Sequence, residues 1–201
     1  MTLFIVFEGL DGSGKSTQAR ALFGRLRRKG RPALLTHEPG GTPLGEVLRR
    51  WLKSRRHLSP VAELSLFIAA RAQLVNDVVG PALETGVTVV ADRFAASTVA
   101  YQGYGRELGL GLVQELNQAA TGGLTPDLTV LLDLPAEVAL GRKDSPMADT
   151  FEAAPSEFHL RVRQGYLAQA AQDQNHWLIL DATQPQRALS RQIWSKVQPL
   201  L

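Results

Sequence analysis

Among its 201 residues the chain has no cysteine. That excludes disulfides, thiolate metal sites and a cysteine nucleophile, and it fits a reducing compartment. Long apolar runs are missing too. The N-terminal run, residues 3–7, stops at Glu8. It is too short for the hydrophobic part of a secretory leader, and no stretch nears the ~20 residues of a membrane-spanning helix. Charge of one sign is scarce, with a net charge of +3. The densest basic run, residues 25–31, falls where the first helix should end, and cations there complement the helix dipole. It reads as a solvated helix end, so neither a nucleic-acid nor a membrane partner is expected. With 44% hydrophobic and 20% charged residues, the expectation is one globular cytoplasmic domain spanning residues 1–201.

What is present is an alternation of strand-like and helix-like segments. Residues 3–7, 32–36, 87–91, 128–133 and 177–180 are short apolar runs that read as strands. Between them, helical spacing places Ala19, Leu22, Phe23 and Leu26 on one face of a helix over 15–29. Leu44, Val47, Leu48 and Trp51 mark another, a long helix covers 60–79, and a last one starts near Gln184. Five apolar strands separated by helices predict an α/β fold with a mostly parallel sheet covered on both faces. Residues 143–155 are polar, carry two prolines and have no period; they predict a loop or flap.

Between the first strand and first helix lies Gly9-Leu10-Asp11-Gly12-Ser13-Gly14-Lys15-Ser16, followed by Thr17. It matches G-x-x-x-x-G-K-[ST] without a gap. In such a loop, glycines let backbone N–H groups wrap phosphate oxygens, Lys15 reaches the β- and γ-phosphates, and Ser16 holds Mg²⁺. Lys15 is expected to face solvent in the empty site. A guanine-selecting NKxD is not visible, since Asn117-Gln118-Ala119-Ala120 lacks both Lys and Asp. A kinase acting on a small acceptor remains.

Three clusters offer an acceptor site. Glu38-Pro39-Gly40-Gly41-Thr42 follows the second strand, and ligands of open α/β sheets bind outside the carboxyl ends of strands. Phe67 and Arg71 lie four apart on the long helix, an aromatic ring and a guanidinium suited to a base and a phosphate. Asp92-Arg93-Phe94 ends the strand 87–91 and continues into Ser97, Thr98, Tyr101 and Gln102. There Arg93 can bridge donor and acceptor phosphates, Asp92 can organise Mg²⁺ and its waters, and Thr98, Tyr101 and Gln102 can hydrogen-bond a base edge. The plainer alternative is that Asp92 and Arg93 simply pair with each other.

The segments FEGLDGSGKSTQ, EPGGTPLGE, FIAARAQLV, DRFAASTVAYQG, LTVLLDLP and EFHLRVRQGYL occur in this order. Together they resemble the bacterial thymidylate kinase (dTMP kinase) family of P-loop nucleoside monophosphate kinases, over residues 3–182. The resemblance implies a P-loop kinase with a five-stranded parallel sheet of order 2-3-1-4-5, helices on both faces and a short lid at about 142–154. It implies ATP and dTMP as substrates, Mg²⁺, and a homodimer formed by helix packing. Carried over by position, Gly9, Asp11, Gly12, Ser13, Gly14, Lys15, Ser16 and Thr17 hold ATP. Phe67 stacks on thymine. Arg71 and Gln102 hydrogen-bond the base, with Thr98 nearby. Tyr101 crowds the position of a 2′-OH, and Asp11 lies near the acceptor's sugar and phosphate. Arg93 binds the acceptor phosphate, while Glu38, Pro39 and Ser97 complete that side. Lys15, Arg93, Asp92 and Arg142 are the catalytic set, and Ser16, Asp92 and Glu152 the metal set. An acceptor phosphate is already a nucleophile, so no general base is needed.

Two positions depart from the pattern. His37 stands where Arg is usual before Glu38, which weakens that loop's ion pairing. The lid reads Asp149-Thr150-Phe151-Glu152 where Asp-Arg-(Phe or Ile)-Glu is common, leaving Arg142 and Lys143 as its cations. Two other readings stay open from the sequence. One is a kinase for another deoxynucleotide or a nucleoside, with Glu8 or Asp92 as base. The other is a nucleotide-binding regulatory protein that has lost turnover.

Overall fold

The computed structural model describes residues 2–54, 58–141, 151 and 154–201. Arg142, Lys143, Thr150 and Glu152 therefore lie outside the described residues, with most of the expected lid. Five strands form one parallel sheet: β1 (Phe4–Glu8), β2 (Ala33–His37), β3 (Thr88–Asp92), β4 (Leu128–Asp133) and β5 (Trp177–Asp181), in the order β2-β3-β1-β4-β5. This is the order that the family resemblance implies.

β1 is central and every residue of it is buried, as expected for a parallel strand with helices on both faces. The chain leaves β1 toward β3 and β2 on one side and returns to β4 on the other. The crevice where strand order reverses thus opens at the carboxyl end of β1. The main core, with Ile5, Phe7, Leu22, Leu26, Val130, Leu132 and Tyr166, lies on one side of the sheet. A second cluster around Phe4, Val6, Leu74 and Phe94 fills the other.

The helices are α1 (Lys15–Arg28), α2 (Pro43–Lys53), α3 (Pro60–Leu74), α4 (Gly80–Glu84), α5 (Ala95–Thr98), α6 (Leu110–Thr121), α7 (Ala136–Gly141), α8 (Ser156–Gln172) and α9 (Gln186–Val197). α1 ends on Arg25, Arg27 and Arg28, and Arg25 lies 4.2 Å over the Trp194 ring. α2 starts on Thr42, whose side chain accepts from Gly45 N at 3.0 Å, with Pro43 at the first helical position.

Several expected bounds shift. The long helix over 60–79 is α3 followed by a π-helical turn, Val75–Val79. Four strands run one residue further than the apolar pattern, ending on Glu8, His37, Asp92 and Asp181. α4, α5, α6, α7 and α8 were not among the helices expected from the periodicity.

Candidate active site

Gly9 leaves β1 at φ +138, and a Cβ there would sit 2.5 Å from the Leu132 carbonyl oxygen. Only glycine passes this close to β4. The loop then turns through Gly14, in the left-handed region, into the N-terminus of α1. Its residues line a cleft of about 1060 Å³, with Phe67, Asp92, Arg93, Thr98, Tyr101 and Gln102 opposite. The donor grip and two of the three acceptor clusters thus share one cavity, and Glu38 and Pro39 from the third line it too. Ser13 Oγ is buried with no hydrogen-bond partner among the described residues, which suits a hydroxyl meant for a ligand oxygen.

Lys15 does not face solvent. It is 5% exposed, and its Nζ donates to Leu10 O at 2.8 Å. Burial, then the Arg93 charge, push its pKa down to about 8, against the pull of Asp11, Asp92 and Glu8. The wrap of the loop that presents backbone N–H groups also encloses the ammonium. Ser16 Oγ donates to Asp92 Oδ2, so the two oxygen donors expected at Mg²⁺ are neighbours.

Asp92 and Arg93 part company. Arg93 has φ +76, a left-handed conformation rare for a side chain of this size. Its guanidinium reaches Gly9 O at 3.2 Å, Ser97 Oγ at 3.0 Å, Tyr166 Oη at 3.0 Å, Asp11 Oδ1 at 3.0 Å and Tyr101 Oη at 3.1 Å. Tyr101 also donates to Asp11 Oδ2 at 3.2 Å, and burial raises its pKa. Beneath Arg93 is Glu8, fully buried. Its carboxylate accepts from Phe94 N (2.9 Å), Ser97 N (3.2 Å), Ser97 Oγ (2.6 Å) and Tyr166 Oη (2.8 Å). Burial raises the Glu8 pKa, and Arg93 with these donors offsets part of the rise.

Phe67 and Arg71 share a helix but not a surface. Phe67 lines the cleft, its ring 5.9 Å from Phe151. Arg71 is 1% exposed, behind the wall. Its Nε and Nη2 donate to Glu38 Oε2 at 2.9 and 2.6 Å, Nη2 also to Phe94 O at 3.1 Å, and Nη1 to Thr98 Oγ1 at 2.6 Å and Asn117 Oδ1 at 2.5 Å. All five guanidinium N–H groups are thus engaged by the protein. Glu38 Oε1 is buried with no hydrogen-bond partner among the described residues, and burial raises its pKa despite Arg71. His37 keeps an ion-pair geometry in its loop, with Nε2 3.1 Å from Glu46 Oε1.

Sequence reasoning missed the Glu8 anchor, Tyr166, Arg49 and the donor-side stretch 182–186. Arg49 lines the cleft and donates to Pro39 O at 2.8 Å. Its signal was a cation two turns into the helix that EPGG leads into. Ala182, Gln184, Pro185 and Gln186 line the cleft after β5, and they carry no pattern.

Comparison with known proteins fits this geometry. A family model described as Thymidylate kinase matches residues 7–193. The thymidylate kinase of Thermomicrobium roseum is 47% identical, over 100% of this chain and 97% of its own. That of Deinococcus radiodurans is 47% identical, over 97% and 96%. The crystal structure of thymidylate kinase from Ehrlichia chaffeensis has a TM-score of 0.81 and 30% identity, covering 98% of each chain.

Proposed function

The chain belongs to the thymidylate kinase family, and from that premise we propose how its cleft transfers the γ-phosphate of ATP to dTMP, giving ADP and dTDP. The observation that carries the reading is Arg93. From one left-handed residue, its guanidinium touches the phosphate loop at Gly9 O and Asp11 and the aromatic side at Tyr101. A cation there stands between two anionic reactants.

Phosphoryl transfer depends on in-line alignment and on neutralising charge on the transferred oxygens. The loop backbone and Lys15 hold the donor phosphates, and Arg93 draws the acceptor phosphate toward them. The acceptor oxygen attacks as it is, so Glu8, sealed under Arg93, has no proton to take from it. Its role is to fix Phe94, Ser97 and Tyr166 around the guanidinium. Phe67 offers a ring face to the base, and Tyr101, held by Asp11 and Arg93, walls the sugar. Ser16 and Asp92 supply hard oxygen donors suited to Mg²⁺, which when bound shields the phosphate charge.

Two further parts of the reading have their own support. Leu44, Val47 and Trp51 are exposed on one stripe of α2, and we assign that face to a second copy of the chain. Sedimentation of the wild type and Trp51→Glu tests the dimer. We place the enzyme in the cytoplasm, as its sequence leads one to expect. Separately, no helix among the described residues is long and apolar enough to cross a membrane. The activity is tested by ADP release with a panel of nucleoside and deoxynucleoside monophosphates. Turnover with dTMP is expected, and its absence overturns the reading.

A further inference from the structure

Gln102 can show the cleft an amide oxygen or an amide NH2, and the two select opposite bases. The neighbours of Gln102 decide which it shows. Glu63 is buried in the first turn of α3, one turn before Phe67. Its carboxylate is gripped on both oxygens by Arg106, Nε to Oε1 at 3.2 Å and Nη2 to Oε2 at 3.0 Å. Arg106 in turn lies over the rings of Phe158, at 4.8 Å, and Phe151, at 5.6 Å. Gln102 Nε2 donates to Glu63 Oε1 at 2.9 Å. A carboxylate paired with a guanidinium only accepts, so the group facing it must be the NH2. The Gln102 oxygen is thereby turned the other way. It takes no hydrogen bond from any described residue, and Gln102 lines the cleft. Beside it, Thr98 Oγ1 accepts from Arg71 and keeps its own proton to donate.

We propose that Glu63, pinned by Arg106, is a positioning residue that locks the Gln102 amide with its oxygen toward the acceptor base, so that the site selects pyrimidines carrying N3–H and rejects cytosine. This rests on the reading that the cleft takes a pyrimidine deoxynucleoside monophosphate. An imide base presents N3–H beside a carbonyl, the complement of the Gln102 oxygen and the Thr98 hydroxyl. Cytosine presents a bare N3, which sets two acceptors face to face without water. Sites built on a buried hydrogen bond reject a mismatched analogue by about 10⁴–10⁵.

The test is Glu63→Leu, measured as kcat/KM for dTMP, dUMP and dCMP. A glutamine would not decide, because Arg106 Nε and Gln102 Nε2 both donate to Oε1 and an amide oxygen there would serve both. Leucine offers no acceptor, so nothing holds the Gln102 NH2 away from the base and the amide is free to turn. The expected result is a fall in the dTMP-to-dCMP ratio of about tenfold or more, with kcat/KM for dCMP rising in absolute terms. The dTMP-to-dUMP ratio and the KM for ATP should hold, because both bases share the imide. A gain on dCMP is something mere damage cannot produce. An unchanged ratio, or an equal loss on all three substrates, overturns the proposal. If melting shows that this variant does not fold, Glu63→Asp decides. It keeps the charge for Arg106 but draws the carboxylate back from Gln102, so the ratio falls without a gain on dCMP; an unmoved ratio overturns the proposal. A wild type inactive on dTMP would overturn the kinase reading itself, whereas an active wild type with unmoved variants overturns only the role of Glu63.

Discussion

Replacing Lys15 with methionine should make the ligand-free protein more stable while abolishing its turnover. The ammonium is enclosed by its own loop, 5% exposed, with a pKa pushed from 10.5 to about 8. At pH 7 both native and unfolded chains carry the proton, so the native state bears the whole cost of the buried charge, about 3 kcal/mol. Methionine keeps the apolar stem but strips Leu10 O of its donor, a loss of about 1 kcal/mol. The net gain is about 2 kcal/mol, or about 4–8 °C in Tm for a chain of this size. The sign with pH follows from proton counts. Between about pH 8 and 10.5 the unfolded chain holds the proton and the native protein has lost it, so wild-type stability rises with pH there. By pH 9.5 that rise is about 2 kcal/mol, and the variant's advantage should have vanished. Urea melts of both proteins at pH 7 and 9.5 read this directly, and saturating ATP should reverse the order at pH 7 by stabilising only the wild type. Turnover should drop on the order of 10² or more. A variant no more stable than wild type at pH 7, or a gap that ignores pH, would refute the reasoning.

Phe67→Ala should raise the KM for dTMP about tenfold or more, since stacking on one base is worth about 1–3 kcal/mol, and leave the KM for ATP unchanged; a shift in the ATP value instead would place Phe67 on the wrong substrate. Arg71→Ala leaves the buried Glu38 carboxylate unpaired and should cost about 3–5 kcal/mol in a urea melt, with a higher KM for dTMP. Arg71→Lys, lacking the planar fork, should recover little of either. Thr150→Arg restores the cation usual at that position and should raise kcat by about tenfold, or about 1.4 kcal/mol; single-turnover kinetics showing unchanged chemistry would count against it.

The phosphate loop was legible because its chemistry is local, eight consecutive residues between an apolar run and a helix. The acceptor side was legible only as residue types. That Arg71 turns inward depends on Glu38, Thr98 and Asn117, which lie 33, 27 and 46 residues away, and no spacing rule reaches so far. The strand ends show the same limit in small. Apolar periodicity stops at Phe7, Thr36, Ala91 and Leu180, whereas the sheet runs on through Glu8, His37, Asp92 and Asp181. These polar residues form the sheet's carboxyl edge, where His37 and Asp92 line the crevice and Glu8 lies buried beneath it. The helices α4–α8 were missed: α4, α5 and α7 are too short to show a period, α6 buries Asn117 and Thr121 beside Val113, and the long α8 mixes His159 and Gly165 into its buried face and leaves Leu160 exposed.

The buried Glu8 carboxylate has a consequence for how the protein breathes. The amide hydrogens of Phe94 and Ser97 end on its Oε1, and its Oε2 accepts from Tyr166, 158 residues along the chain. Releasing either amide leaves a fully buried acid short of one of its donors. Those two protons, though they sit in a turn at the mouth of the cleft, should exchange with deuterium as slowly as the strands themselves, opening only with the whole domain. The turn that carries Arg93 is therefore a fixed wall, and any motion that admits or releases nucleotides must occur elsewhere around the rim.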